Sequence, residues 1–259
     1  MCLIAFAWQA SSRYRLLLAA NRDEFHDRPA LAAHWWSDSP EVYGGRDLNA
    51  GGTWLAISRN GKLAAVTNYR ERPHRGPGER SRGELGAGFV AGERSAIHHA
   101  RALHEGADRY AGFNLLLFDW DGPEPACAYL SNRHPLAPVQ EPGAGVHTLS
   151  NHLLNTRWPK ALRLGAVIER VADHDDPVEE LFDALSDQRP VSPDELPADA
   201  DQSDPDALTR TPFIVDARYG TRASTVVTVD HSGHVCFVER SWTWSPDGAR
   251  CIGERRLTF

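Results

Sequence analysis

Chemistry in this chain begins at its second residue, Cys2. The methionine ahead of so small a residue is expected to be removed, which puts a thiol and a free α-amine on one residue. An α-amine titrates at about 7.7–8.0 in model compounds. Near neutral pH it can therefore take the proton of its own side chain, directly or through water. The thiolate that results is a strong nucleophile. A small apolar residue opening a buried strand looks the same in sequence, and position alone leaves both readings standing.

A nucleophile also needs donors aimed at the developing oxyanion and groups that orient its base. Three asparagines follow apolar runs in similar settings: Asn21 after Ala19-Ala20, Asn68 after Val66-Thr67, and Asn151 after Leu149-Ser150. An amide side chain there donates without adding charge, although asparagine at a strand end also serves as a turn residue. Asn21 opens the polar run Asn21-Arg22-Asp23-Glu24, which abuts the end of a strand and reads as a site or a turn. Arg222, just before an apolar strand, reads on its own as a surface or structural arginine. Cys127, Cys236 and Cys251 form no CxxC pair and no zinc spacing. The 12 histidines include His34 before Trp35-Trp36, with no CxxCH haem-attachment motif, so each reads first as a surface or packing residue.

Periodicity outlines the elements that must hold these groups. Residues 2–10 and 14–20 read as a buried hairpin turning at Ser11-Ser12-Arg13. Residues 51–57 and 62–68 form a second hairpin, with Asn60-Gly61 favouring a tight turn. Residues 71–80 are a polar loop, and Ser81 with Glu84 three residues on marks a helix start. Helical spacing covers 96–106, 159–172 and 178–185, while 113–120, 126–131, 147–150, 211–215, 224–230 and 234–239 read as strands. The acidic, proline-bearing stretch 192–206 is a surface loop. Strands, then helices, then strands argue for an α+β fold with mostly antiparallel sheets, in a single domain over residues 1–259.

A net charge of -7 argues against broad attraction to nucleic acid or anionic membranes. No apolar stretch is long enough to span a bilayer as a helix. The short apolar start lacks a basic n-region, so a cytoplasmic location with reduced thiols is expected.

Met1-Cys2-Leu3-Ile4, Ala20-Asn21-Arg22-Asp23-Glu24-Phe25, Thr67-Asn68-Tyr69-Arg70, Leu149-Ser150-Asn151-His152 with Trp158-Pro159-Lys160, and Tyr219-Gly220-Thr221-Arg222-Ala223-Ser224-Thr225 stand in an order and spacing that resemble the NRDE family. That family is also called the transport and Golgi organization family. Gly45-Arg46-Asp47-Leu48, Gly52-Thr53-Trp54 and Ser81-Arg82-Gly83-Glu84-Leu85 are similar to it as well, and the resemblance runs from residue 1 to about Trp242. It implies an N-terminal nucleophile (Ntn) hydrolase fold, a four-layer αββα sandwich with antiparallel sheets. It also implies that Cys2 takes the nucleophile position of cysteine acylases. Asn68 and Asn151 would take their oxyanion or amine-orienting positions, and Arg222 their late arginine. Those acylases carry Arg-Asn-x-Asp after the second strand. In one register Asn21 replaces the arginine and Glu24 the aspartate. In the shifted register Arg22 and Asp23 do that work.

Two functions follow from the resemblance. One is a cysteine amidohydrolase or acyltransferase acting on an amide or thioester of a small acyl compound, with no cofactor required. The other is a non-catalytic carrier on the same fold, taking haem or an acyl lipid or acyl-CoA as ligand. A third reading, from the residues alone, is a partner-binding scaffold with Trp35-Trp36, Trp242 and Trp244 as an aromatic patch.

Overall fold

The computed structural model describes residues 2–71, 76, 78–122, 124–196 and 210–259. They divide into two compact units, Met1–Asp27 with Ala144–Ser150 and Leu154–Phe259, and Arg28–Gly143 with Asn151–Leu153. Among the described residues are 13 strands and four α-helices, and all pairings within both sheets are antiparallel.

The first unit is a six-stranded sheet. Its strands are β1 (Cys2–Trp8), β2 (Tyr14–Phe25), β10 (Gly145–Leu149), β11 (Tyr219–Asp230), β12 (Val235–Ser245) and β13 (Gly248–Thr258), in the order β10-β1-β2-β11-β12-β13. Helices α3 (Pro159–Val171) and α4 (Val178–Leu185) pack on it. Proline at the first position of α3 suits a site whose amide would have no partner in any case. Ala161, Leu164, Ile168 and Val171 recur at helical spacing and meet Leu3, Ala5 and Ala7 of β1 and Leu17 and Ala19 of β2 in one apolar core. Side chains alternate across a strand, so Cys2, Ile4 and Phe6 lie on the other face of the sheet. Phe6 there stacks on His147, its partner in β10, with ring centroids 5.2 Å apart.

The second unit is a seven-stranded sheet in chain order. It runs through β3 (Ala30–Trp36), β4 (Ser39–Asp47), β5 (Leu55–Ser58), β6 (Lys62–Asn68), β7 (Phe113–Asp119), β8 (Ala126–Ser131) and β9 (Val139–Gln140). Helices α1 (Gly83–Val90) and α2 (Ala96–His104) bury Leu85, Phe89, Ala96 and Ala100 against Ala56, Ala64, Leu115 and Leu117. The β5–β6 hairpin closes through Gly61, whose φ of 67° is the left-handed geometry that glycine adopts without strain. Gly52 meets the start of α1 so closely that an added Cβ would lie 2.3 Å from the Gly83 carbonyl carbon.

The α+β reading with antiparallel sheets is therefore borne out, each sheet carrying its own pair of helices. Strand β2 runs five residues past the expected end, so Asn21, Arg22, Asp23 and Glu24 lie inside a strand rather than after it. Pairing explains this: β1 holds Asn21 and Arg22, and β11 holds the whole run to Phe25. Residues 211–215 form no strand. Strands β3, β4, β9 and β13 were not foreseen: β9 is two residues long, exposed charged residues blur the alternation of β4 and β13, and β3 exposes Leu31 while burying Ala33 and Trp36. The α1 N-cap is Arg82 rather than Ser81, with no side-chain cap. Of the loop expected at 192–206, residues 197–206 lie outside the described residues.

The tryptophans of the expected patch differ in burial, with Trp36 buried and Trp244 exposed. Trp36 is buried with its indole donating to Gly44 O at 3.0 Å, and Trp242 packs edge-on against Phe213 with its indole donating to Ser224 Oγ. Among the described residues no helix is long and apolar enough to cross a membrane.

Ile168 joins α3 to the strand that begins with Cys2. Ile168→Ala is expected to lower unfolding stability by about 2–5 kcal/mol in urea titration. A loss below about 1 kcal/mol would contradict this core assignment.

Candidate active site

Cys2 opens β1 and pairs directly with Arg22 of β2. Side chains at directly paired positions share a face, so Arg22 leaves the sheet on the same side as the thiol. The Cys2 carbonyl accepts the Ser150 hydroxyl at 2.8 Å, which ties the strand's first peptide to the end of β10. Cys2 itself is partly buried. Burial pushes its thiol above the ordinary range, and the Asp23 charge adds to this. The positive amino terminus, the Asp23 backbone amide and Arg22 pull the other way without overcoming burial. Cys2 is therefore a neutral thiol at pH 7 and needs a base to become a nucleophile.

Asp23 supplies a buried carboxylate next to it, only 4% exposed. Its Oδ1 accepts the Thr221 hydroxyl at 2.7 Å, and the Thr221 Oγ1 in turn accepts the Ile214 amide at 3.0 Å. Burial raises the Asp23 pKa, against the pull of the amino terminus, Lys160, Thr221 and Arg210. Lys160, on α3, is itself buried, with its ammonium 5.7 Å from the Trp158 ring centre. Thr221 and Lys160 were not singled out from the sequence. Both sit inside the quoted motif segments, but a threonine in a strand and a lysine after Trp-Pro carry no chemical signature alone.

The β2–β11 ladder is broken at this level. Thr221 pairs with Asp23 and Ala223 with Arg22, leaving Arg222 as an extra residue on β11. Such a bulge re-aims a side chain without ending the strand. Arg222 Nη1 donates to the carbonyls of Phe25 and His26, each at 3.0 Å. Burial and then the Arg22 charge push its pKa down, while Glu24 opposes them. Glu24 Oε2 lies 3.9 Å from Arg22 Nη2, and its Oε1 accepts the Phe25 amide at 2.9 Å.

Asn21 is built differently. Its Nδ2 donates to Leu185 O at 2.8 Å and Pro212 O at 2.9 Å, and its Oδ1 accepts the Ser224 hydroxyl at 2.6 Å. Both amide protons are thus spent on the C-terminus of α4 and the segment before β11. The structure gathers Cys2, Arg22, Asp23, Glu24 and Arg222 at one end of β1, β2 and β11, with Asn21 bracing the helix side of that end.

In the second unit Asn68 and Asn151 come together. Asn151 is buried, its Nδ2 donates to Asn68 O at 2.9 Å, and its own carbonyl accepts the Arg70 amide at 2.7 Å. The buried Asn114 supports this segment by donating to His152 O at 2.9 Å and Thr67 Oγ1 at 3.2 Å, while Tyr129 donates to Asn114 Oδ1 at 2.7 Å. Asn68 is exposed. Among the described residues no group of histidine, cysteine and acidic side chains has the makings of a metal site.

A family model described as Transport and Golgi organisation 2 matches residues 1–244. The chain is 36% identical over 259 residues to the Transport and Golgi organization 2 homolog of Mus musculus, covering 93% of each protein. Among solved structures it resembles a Caenorhabditis elegans N-acylethanolamine-hydrolyzing acid amidase ortholog at 10% identity and a TM-score of 0.48, covering 87% of this chain and 92% of that one. It also resembles a variant of conjugated bile acid hydrolase from Clostridium perfringens at 8% identity and a TM-score of 0.49, covering 99% of this chain and 97% of that one.

Two substitutions separate bracing from chemistry. Asn21→Ala removes three buried hydrogen bonds and is expected to cost about 2 kcal/mol or more in chemical denaturation. An unchanged midpoint would contradict the bracing role. For Asp23 the folded pKa stands above the unfolded value, so the ionised form costs stability at neutral pH and the folded state gains as pH falls. Asp23→Asn keeps an acceptor for Thr221. It is expected to melt at or above the parent at pH 7, with the gap closing toward about pH 4. A clearly lower Tm at pH 7 would show that Asp23 is a structural ion instead.

Proposed function

The chain belongs to the Transport and Golgi organisation 2 family, and on that premise we propose that it is a cysteine amidohydrolase or acyltransferase using Cys2 as an N-terminal nucleophile. The observation that carries the reading is the placement of Cys2 at the start of β1, paired with Arg22 and acted on by the charge of the buried Asp23 carboxylate. A thiol raised by burial has to be deprotonated, and the group best matched to do so near neutral pH is the α-amine freed when Met1 is removed. Asp23 stabilises and orients the ammonium that forms. Thr221 and the backbone around Ile214 hold Asp23 in place.

The steps balance without a cofactor. The thiol proton passes to the α-amine as sulfur adds to the carbonyl carbon of an amide or thioester. The tetrahedral adduct collapses, and the departing amine or thiol takes the proton from the α-ammonium. This leaves an acyl thioester on Cys2. Water then releases the acid, or an acceptor amine takes the acyl group, with the α-amine again serving as base. In this reading Arg22 and Asp23 act at the centre and Asn21 braces it, which is the shifted register of the two read from the sequence.

A panel of N-acyl amides and acyl thioesters is the test. Cys2→Ala is expected to reduce turnover to background. The kcat/KM profile of the parent should rise with pH through an apparent pKa near that of an α-amine, about 7.7–8.0. Turnover surviving in Cys2→Ala would sink the proposal.

A further inference from the structure

A groove opens at the other end of the sheet that carries Cys2. Tyr14 lines it and stands at the start of β2, whereas Arg22, the partner of Cys2, lies near the end of that strand. The two ends are therefore roughly 25 Å apart along the strand. The groove holds about 580 Å³ and takes in the connection from α3 to α4. Thr228 of β11 and Cys236 of β12, direct partners in the ladder, line it together with Val178 of α4. The Tyr14 hydroxyl donates to Asp175 O at 2.8 Å and ties that connection to β2.

Thr228 points to a ligand. It is only 7% exposed, and its side chain leaves the sheet on the face of its ladder partner Leu17, which packs against α3 and α4. Among the described residues nothing hydrogen-bonds its hydroxyl. A hydroxyl so placed is costly to fold until something in the groove completes it. Charges of both signs stand near it. Burial raises the Cys236 thiol, and the Arg256 cation and then the Asp176 carboxylate act on that thiol in opposite directions. Asp176 Oδ1 accepts the Val178 amide at 3.2 Å, and among the described residues Arg256 has no ion-pair partner. The other carboxylates of the lining are engaged, Asp175 with Arg13 and Asp230 with the Ser232 and His234 amides. A ligand of one sign would meet one like charge here, whereas a ligand carrying both signs meets two opposite ones.

We infer that this groove binds a small zwitterion, an amino acid or short peptide, with its carboxylate at Arg256, its ammonium at Asp176 and a hydrogen bond to the Thr228 hydroxyl. The site is separate from Cys2 and does not depend on the chemistry proposed there.

Titration of the full chain with glycylglycine, followed at the backbone amides by proton–nitrogen correlation NMR, is the test. The amides of Thr228, Cys236 and Val178 are expected to shift and saturate with a Kd of about 5 mM, while those of Leu3 and Asn21, at the Cys2 end, stay in place. N-Acetylglycine lacks the ammonium and glycinamide lacks the carboxylate, so each should bind about tenfold more weakly. Thr228→Val removes the hydroxyl and keeps the shape of the strand, and Arg256→Gln removes an exposed charge. Each is expected to weaken glycylglycine binding about fivefold without lowering Tm. The inference is overturned if the groove amides show no saturable shift, or if N-acetylglycine or glycinamide binds as well as glycylglycine. Binding that neither substitution changes would overturn it as well.

Discussion

The pairing of β1 with β2 in the register that sets Cys2 against Arg22 is the constraint on which the candidate site depends. Register in a sheet is all or nothing, because a slip of one residue sends every side chain to the opposite face. Here Leu3, Ala5 and Ala7, with Leu17 and Ala19, must face α3 and α4, and that burial holds the alternate positions in place. Cys2 and Arg22 inherit their face from residues that do no chemistry. Ser150 fixes the remaining freedom of the first peptide by donating to the Cys2 carbonyl.

Strand β2 then changes character along its length. Its first half is apolar core and its last third is charged, yet pairing with β11 continues to Phe25. The polar end is tolerated because each group has a specific answer. Asn21 is saturated by two carbonyls and a hydroxyl, and Asp23 by Thr221. The Arg222 bulge lets a third strand contribute a cation without losing the ladder. Burying Asp23 still disfavours its charged form, as its raised pKa records. A buried carboxyl whose charged form is disfavoured is a candidate for a chemical role.

Much of this was legible in the sequence. The hairpins at 2–20 and 51–68 and the helices at 159–172 and 178–185 follow from apolar periodicity. Cys2 followed from position, and the five motif segments marked every member of the cluster. The sequence did not decide between Asn21 with Glu24 and Arg22 with Asp23. The run reads from sequence as a site or a turn, whereas inside β2 the alternation of faces sets Arg22 with Glu24 and Asn21 with Asp23. The supporting role of Thr221 was hidden for a related reason, since only the bulge at Arg222 brings its hydroxyl to Asp23. Strand β13 escaped notice because its residues are exposed almost throughout, leaving no buried face for a pattern to mark.

The account turns on whether Cys2 is the mature N-terminus and the acyl-accepting group. Intact-mass and N-terminal peptide analysis of protein purified without an N-terminal tag, before and after exposure to an activated acyl thioester, tests this in one measurement. The account predicts a chain lacking Met1 that gains one acyl group on its N-terminal peptide. A chain that keeps Met1, or one acylated only elsewhere, would contradict it.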